Sequence, residues 1–417
     1  MRMSDAVLRK VAWRLIPFLG LAYFFAFLDR VNVGFAALTM NEDIGLSAAA
    51  YGFGAGIFFI GYVLFEVPSN VILARVGARV WIARIMISWG LLSASMALVE
   101  GPTSFYVMRF LLGVAEAGFF PGIIYFLTCW FPSAYRARIL GAFLVAIPLS
   151  GVLGAPLSTR LLGLEGFGLA GWQWMFILEG VPAALLGLAV LRWLRDRPAD
   201  AEWLEPRERE WLTAELAREG RAATHEPRIG RVLANPSVWL FGFAYFGIIV
   251  SLYGFNFWLP QMVKGLGNLS NIEVGLVLMI PSAIAGIAMV TWGLHSDRSG
   301  ERRWHVALPA FLAAAALATS AILQGSPFAA FLALIVAGVG TFCSLPAFWT
   351  LPAAMLAGPA AAAGIALVNS IGNVGGFVGP TLIGYLKETT GSFALALWAL
   401  AVAMAASAFI VLATTRR

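Results

Sequence analysis

Apolar residues along this chain come in long runs, each of about twenty positions or more, separated by short polar punctuation. A helix rises about 1.5 Å per residue, so roughly 20 apolar residues cross a hydrocarbon layer about 30 Å thick. On that ruler the pattern predicts twelve spans: 14–39, 48–74, 80–99, 104–131, 138–162, 172–194, 237–263, 272–296, 304–324, 327–356, 360–386 and 391–414. One long polar segment, Asp196 to Ala234, interrupts them between the sixth and the seventh. Its stretch "DRPADAEWLEPREREWLTAELAREGR" is densely charged and helix-forming, and reads as a partly helical cytoplasmic linker. The expected organisation is an all-α polytopic membrane protein with six spans in 1–195, a linker over 196–234 and six more spans in 235–417.

Composition agrees. The chain is 60% hydrophobic and 12% charged, against about 25% charged for a soluble domain. The net charge of +6 needs no nucleic acid to explain it, because loop arginines that set topology suffice. With the N-terminus inside, the cytoplasmic segments and the span ends beside them carry 23 of the 28 Lys and Arg residues. Arg160, Lys264 and Lys387 lie on the outer side, and Arg30 and Arg109 lie within spans. This bias puts both termini in the cytoplasm, which requires an even number of spans. Cys129 and Cys343 read as buried small hydrophobes. His225, His295 and His305 fall in or beside predicted loops without metal-ligand spacing. No cleavable signal peptide is evident, since the first apolar run is long enough to be a span. An intramembrane enzyme is disfavoured by the lack of a Gly-x-Ser-x-Gly elbow, a His-Glu-x-x-His motif or a buried histidine base. A receptor is disfavoured because a linker of roughly 39 residues is too short for a signalling domain.

The chain also repeats itself. "ARVGARVW" (Ala74–Trp81) matches "DRSGERRW" (Asp297–Trp304), with Arg75, Gly77, Arg79 and Trp81 recurring as Arg298, Gly300, Arg302 and Trp304. "GVLGAP" (Gly151–Pro156) resembles "GFVGPT" (Gly376–Thr381) at nearly the same offset. Duplicated six-span halves with a site at their interface are a transporter architecture.

Twelve spans, the central linker and the loop "GLHSDRSGERR" (Gly293–Arg303) resemble the major facilitator superfamily. "LDRVNVGFA" (Leu28–Ala36), "FEVPSN" (Phe65–Asn70), "RFLLGVAEAGFFPG" (Arg109–Gly122), "GWQWMFILEGVPA" (Gly171–Ala183) and "NSIGNVGGFVGP" (Asn369–Pro380) narrow the resemblance to its anion:cation symporters, among them bacterial tartrate, phthalate and hydroxyphenylacetate permeases. The resemblance covers essentially the whole chain. It implies proton-coupled import of a small organic anion across a bacterial inner membrane by an apparent monomer, driven by the proton gradient without a cofactor. It also implies that Asp29 and Glu116 handle protons while Arg30 and Arg109 hold the anion. Many relatives carry tyrosine two residues before the aspartate, where this chain has Phe27. The missing hydroxyl disfavours a heavily hydroxylated sugar acid. An exporter of the same fold is the alternative.

Read by themselves, intramembrane charges usually mark pathways and proton relays. Asp29 and Arg30 are about 100° apart on a helix, so each needs a partner on another helix. A purely structural ion pair is the competing reading. Arg109 and Glu116 share a helix face two turns apart, about 10 Å axially; the alternative reading is that Arg109 snorkels from an outer span end. Two arginines against two acids make a neutral empty cavity, and protonating an acid frees an arginine for a carboxylate. Glu66 reads as a conformational contact near the inner end of span two, with Arg75. Asp297, Arg298 and Arg302 read as a gate or helix-end network, and Glu179 as structural. Ala74 stands where the second half has Asp297, so the first half needs other groups. The second half offers Asn369 and Asn373 on one helix face, with Tyr253, Asn256 and Trp349, and Tyr62 of the first half, as further substrate contacts.

Overall fold

The computed structural model describes residues 3–222, 234–355 and 359–415. Twelve of its helices are long and apolar enough to cross a membrane, and they are numbered here as spans one to twelve: Ser4–Ala36, Ala48–Val76, Ala78–Leu98, Pro102–Thr128, Ser133–Leu161, Gly171–Trp193, Pro236–Gly265, Asn271–Ser299, Arg303–Ile322, Pro327–Pro352, Gly364–Thr390 and Ala394–Thr414. Most boundaries fall within a few residues of those expected from hydropathy. Span one starts ten residues early, because its polar first turns continue the helix toward the linker instead of ending at the apolar edge. There Asp5 accepts a hydrogen bond from the Tyr135 hydroxyl (2.9 Å) and Lys10 pairs with Glu208 (2.7 Å). Side-chain caps start several spans: Ser47 accepts from the Ala50 N–H, and Ser270 and Glu273 form a reciprocal capping box.

The linker contains a helix, Pro206–Ala222, docked on the first half. Trp203 stacks on Trp130 with ring centroids 5.7 Å apart. The Arg14 guanidinium lies 4.6 Å from the Trp193 ring centre and 4.9 Å from that of Trp203.

Packing follows the sequence repeat. Span one packs on five, two on four, and three on six; the same pairings recur as seven on eleven, eight on ten, and nine on twelve. The halves meet through two on eleven and five on eight, contacts that the pseudo-symmetry exchanges. Small residues permit these approaches, as expected where lipid supplies no hydrophobic drive between helices. A Cβ on Gly113 would overlap the Phe58 carbonyl, so spans two and four touch backbone to backbone there.

The described contacts between the two sets of spans are lopsided. Tyr51 donates to the Phe257 carbonyl (2.9 Å), the Ala49 N–H donates to Glu388 (2.6 Å), and Gly52 and Gly384 lie against Pro380 and Ala48. Pro148 and Gly286, and Thr159 and Gly275, pack likewise. All of these lie between mid-span and the face away from the linker. Among the described residues, Glu66 with Asn369 is the hydrogen bond between spans of the two halves that lies nearest the linker side.

Candidate functional site

Span one carries the charged pair into the junction of the halves, where its helix runs Met3–Val31, turns at Asn32 and resumes at Val33. Asp29 and Arg30 diverge as their helical angle requires. The Asp29 carboxylate accepts from Trp89 Nε1 (2.6 Å) and Ser93 Oγ (3.0 Å) of span three, with Asn32 Nδ2 3.4 Å away. Its described partners are all neutral. Arg30 turns the other way. It forms a buried ion pair with Glu116 of span four and donates to the Tyr253 hydroxyl of span seven (2.9 Å). Its guanidinium lies 5.4 Å and 5.3 Å from the ring centres of Phe58 and Tyr62. Arg30 and Tyr253 are 223 residues apart, the offset that relates Arg75 to Arg298. Symmetry-equivalent positions touch only near the axis relating the halves, so this contact marks the molecular centre.

Glu116 is the last residue of the helix Pro102–Glu116. Ala117 is extended, Gly118 takes a left-handed φ of 86°, and a second helix begins at Phe119. The span is therefore broken at its acid. Breaks of this kind at membrane depth are tolerated where the backbone is buried in protein or lines a cavity.

Arg109 is fully buried and does not snorkel, contrary to the alternative drawn from its position in the span. It donates to the Ala55 carbonyl (3.2 Å) and lies 5.1 Å from the Phe58 ring centre and 5.9 Å from that of Phe257. Its Nε and Nη1, and Arg30 Nε, are buried donors without a hydrogen-bond partner among the described residues. Both arginines flank the Phe58 ring, so they form one cationic zone. Unpaired buried donors are costly, and an anionic group is the partner they suit.

Glu66 stands apart from its sequence reading. It accepts from Asn369 Nδ2 (2.8 Å), across the halves, while Arg75 lies exposed at the linker-side end of the span. Arg75 lies nine residues further along the helix, about 13.5 Å, and burial draws Glu66 toward the centre instead. Its Oε2 is buried and unpartnered among the described residues. The buried acids of the central zone thus include Glu66 and, beside Asp29, Glu179, and the balance of two arginines against two acids gives way to one of two against four. Asn373 is buried one turn beyond Asn369. Asn256 donates back to the Leu252 carbonyl (2.6 Å) and, with Phe27, Pro148 and Ser282, lines a cavity of about 60 Å³ between the halves. Trp349 packs edge-on against Tyr245, 4.7 Å between centroids.

At the linker side Asp297 pairs with Arg302 (2.6 Å), and Arg303 donates to the Leu412 carbonyl (2.9 Å), while Arg298 is exposed. In the first half Asp196, from the linker, replaces the aspartate missing at Ala74: it accepts from the Arg79 N–H (2.8 Å). His295 and His305 lie in the helix ends on either side of the loop that joins spans eight and nine and touch each other (2.7 Å), and His305, contrary to the expectation of no buried histidine, is buried; His225 lies outside the described residues. Cys343 is buried and Cys129 is half-buried.

Sequence reasoning missed Trp89, Ser93 and Asn32 as the groups holding Asp29, and Asn32 and Ser158 as those holding Glu179. Asn32 sits three residues after Asp29, and Trp89 and Ser93 are four apart, so helical spacing alone puts each pair on one face.

The profile of the Major Facilitator Superfamily matches residues 19–380 and, again, 268–417. The chain belongs to that superfamily. It is a transporter and not an enzyme. It is 54% identical over 414 residues to the "Putative tartrate transporter" of Agrobacterium vitis, covering 98% of this chain and 91% of that one. It is 44% identical over 401 residues to the quinolone resistance transporter of Acinetobacter baumannii, covering 95% and 92%. Among solved structures, the xylose transporter XylE from E. coli, in a partially occluded inward-open conformation, superposes with a TM-score of 0.74 at 14% identity over 97% of this chain and 100% of that one. That likeness concerns the fold alone.

Proposed function

We propose that this transporter imports a small organic anion together with protons, by alternating access between its two six-span halves. The carrying observation is the buried pairing of Arg30 with Glu116 at the molecular centre, beside Arg109 with its unpartnered donors. A carboxylate entering from outside competes with Glu116 for Arg30. Protonation of Glu116 removes that competitor, so anion binding and proton binding favour each other. Asp29, held by neutral donors alone, is the second proton site. Asn369, Asn373, Tyr62, Tyr253, Asn256 and Trp349 shape the rest of the pocket. The lopsided contact between the halves supports a resting form closed on the far face and open toward the linker, which we assign to the cytoplasm of a bacterial cell, with the protein a monomer in the inner membrane. The name of the Agrobacterium vitis relative favours a hydroxylated dicarboxylate such as tartrate among the candidate acids. Phthalate, an aromatic acid and a sugar acid are the others.

The quinolone resistance relative supports a second reading, proton-driven export. The two buried arginines weigh against a cationic drug as its cargo.

Purified protein in liposomes with an inside-alkaline pH gradient tests both, with radiolabelled tartrate, phthalate, 4-hydroxyphenylacetate and a sugar acid. The expected result is accumulation of one acid, abolished by a protonophore. Accumulation of none, with export under the reversed gradient, would overturn import.

A further inference from the structure

Glu179 is a fully buried acid of span six that the mechanism above does not use. Its carboxylate accepts from Ser158 Oγ (2.6 Å) of span five and from Asn32 Nδ2 (2.9 Å) of span one. Among the described residues no basic group pairs with it. Span six packs on spans three, one and five. From these, the ionisable group facing Glu179 is Asp29, and the remaining polar neighbours of the two acids, Ser158, Asn32, Ser93 and Trp89, are neutral. Arg30 is turned away toward Glu116, and Arg109 and Glu116 of span four reach Asp29 electrostatically, with opposite signs and without a hydrogen bond.

Asn32 therefore stands between two carboxyl groups, its Nδ2 directed at both. Its Oδ1 is buried and has no donor among the described residues. Two adjacent buried carboxylates without a directly paired cation are disfavoured together, whereas one carboxylate and one carboxylic acid are tolerable. The amide matches that mixed state: its N–H donates to the ionised group, and its oxygen suits the O–H of the protonated one. A turn about the Asn32 Cβ–Cγ bond exchanges the two ends. The amide keeps its own two N–H bonds throughout: when the proton moves, one O–H bond breaks at one acid and one forms at the other, and the pair's net charge is unchanged.

We propose that Glu179 shares a transported proton with Asp29, the Asn32 amide between them favouring the state with one acid protonated, which makes Glu179 a proton-handling residue of the transport cycle. This rests on the proton-coupled reading above. It places the proton store on the side of span one facing away from Arg30, apart from the anion.

The test compares wild type, Glu179→Gln and Glu179→Asp in liposomes, with the panel acid that wild type accumulates, tartrate first. Two quantities are read: the ratio of pH-driven accumulation to exchange measured without a gradient, and the pH profile of uptake. Glutamine keeps the hydrogen-bonding size of the protonated acid but carries no exchangeable proton. The expected result is a ratio at least tenfold lower for Glu179→Gln with a flattened pH profile, and recovery of most of both by Glu179→Asp. An unchanged ratio and profile would overturn the proposal. So would an equal loss of accumulation and exchange in both variants, which is what a structural role predicts. If wild type accumulates no panel acid with the gradient, the proton-coupled reading fails and this inference fails with it.

Discussion

A guanidinium in the membrane is retained when its surroundings occupy it, and Arg30 is occupied by a carboxylate, a hydroxyl and two aromatic faces. A lysine has a single compact charge and cannot reproduce that fork. Arg30→Lys is therefore expected to raise the KM for the transported acid at least tenfold, measured by initial uptake rates; an unchanged KM would show that Arg30 does not contact substrate. For Glu116 the decisive change is to glutamine, which mimics the protonated acid. Glu116→Gln is expected to lose uphill, pH-driven accumulation. Intact accumulation in that variant would remove Glu116 from coupling. Breaking a buried pair from one side costs about 3–5 kcal/mol, so thermal stability of each variant must be read alongside transport. Outside the membrane, Glu301 is the informative acid. Burial opposes its ionisation, but the Trp304 and His305 N–H groups and the His305 ring hold its carboxyl below the ordinary value. A depressed folded-state value gives stability that is present above the unfolded-state value, near 4, and is lost as pH falls through the folded one. Glu301→Gln should thus lower the melting temperature at pH 7, with the gap closing below about pH 4. An equal gap at both pH values would rule that out.

At the scale of the element, the break in span four decides where Glu116 sits. Gly118 is left-handed, and a Cβ there would overlap Ser69 of span two. A left-handed conformation costs an L-residue about 1–2 kcal/mol, and the overlap adds to it. Gly118→Val should lower the melting temperature in detergent and reduce transport, because a repaired, continuous helix would swing Glu116 off Arg30. A variant with wild-type melting and uptake would mean that the break is not required. Apolar periodicity located this span to within a few residues, yet did not locate the interruption: "AEAGFFPG" holds Gly118, Pro121 and Gly122 around the break, but glycine and proline are common in membrane spans.

For the whole molecule, the two halves touch from mid-span to the face away from the linker. Gly52 and Gly384 make that contact possible by bringing backbone against backbone. Gly52→Leu should wedge the far face apart and shift the population toward the opposite form. Spin labels at the linker-side ends of spans two and eleven should then move closer together. No change in their distance distribution would show that this contact does not control the equilibrium. The superfamily fold was legible from hydropathy, arginine placement and the internal repeat, because each is imposed by the bilayer on the chain locally or by duplication.

The sequence by itself determined that Asp29, Arg30, Arg109 and Glu116 are the expensive residues, because a charge in a span is costly whatever surrounds it. It also determined that Asp29 and Arg30 face different ways, since helical geometry fixes the angle between neighbours. Only the tertiary structure decided the pairings. Glu116 and not Asp29 holds Arg30; Asn369 and not Arg75 meets Glu66; Asn32 joins Asp29 to Glu179. Those pairings depend on how helices 86, 303 and 147 residues apart pack side by side. Spacing along one helix cannot encode the distance to another, and so the partners of these charges became visible only once the spans were assembled.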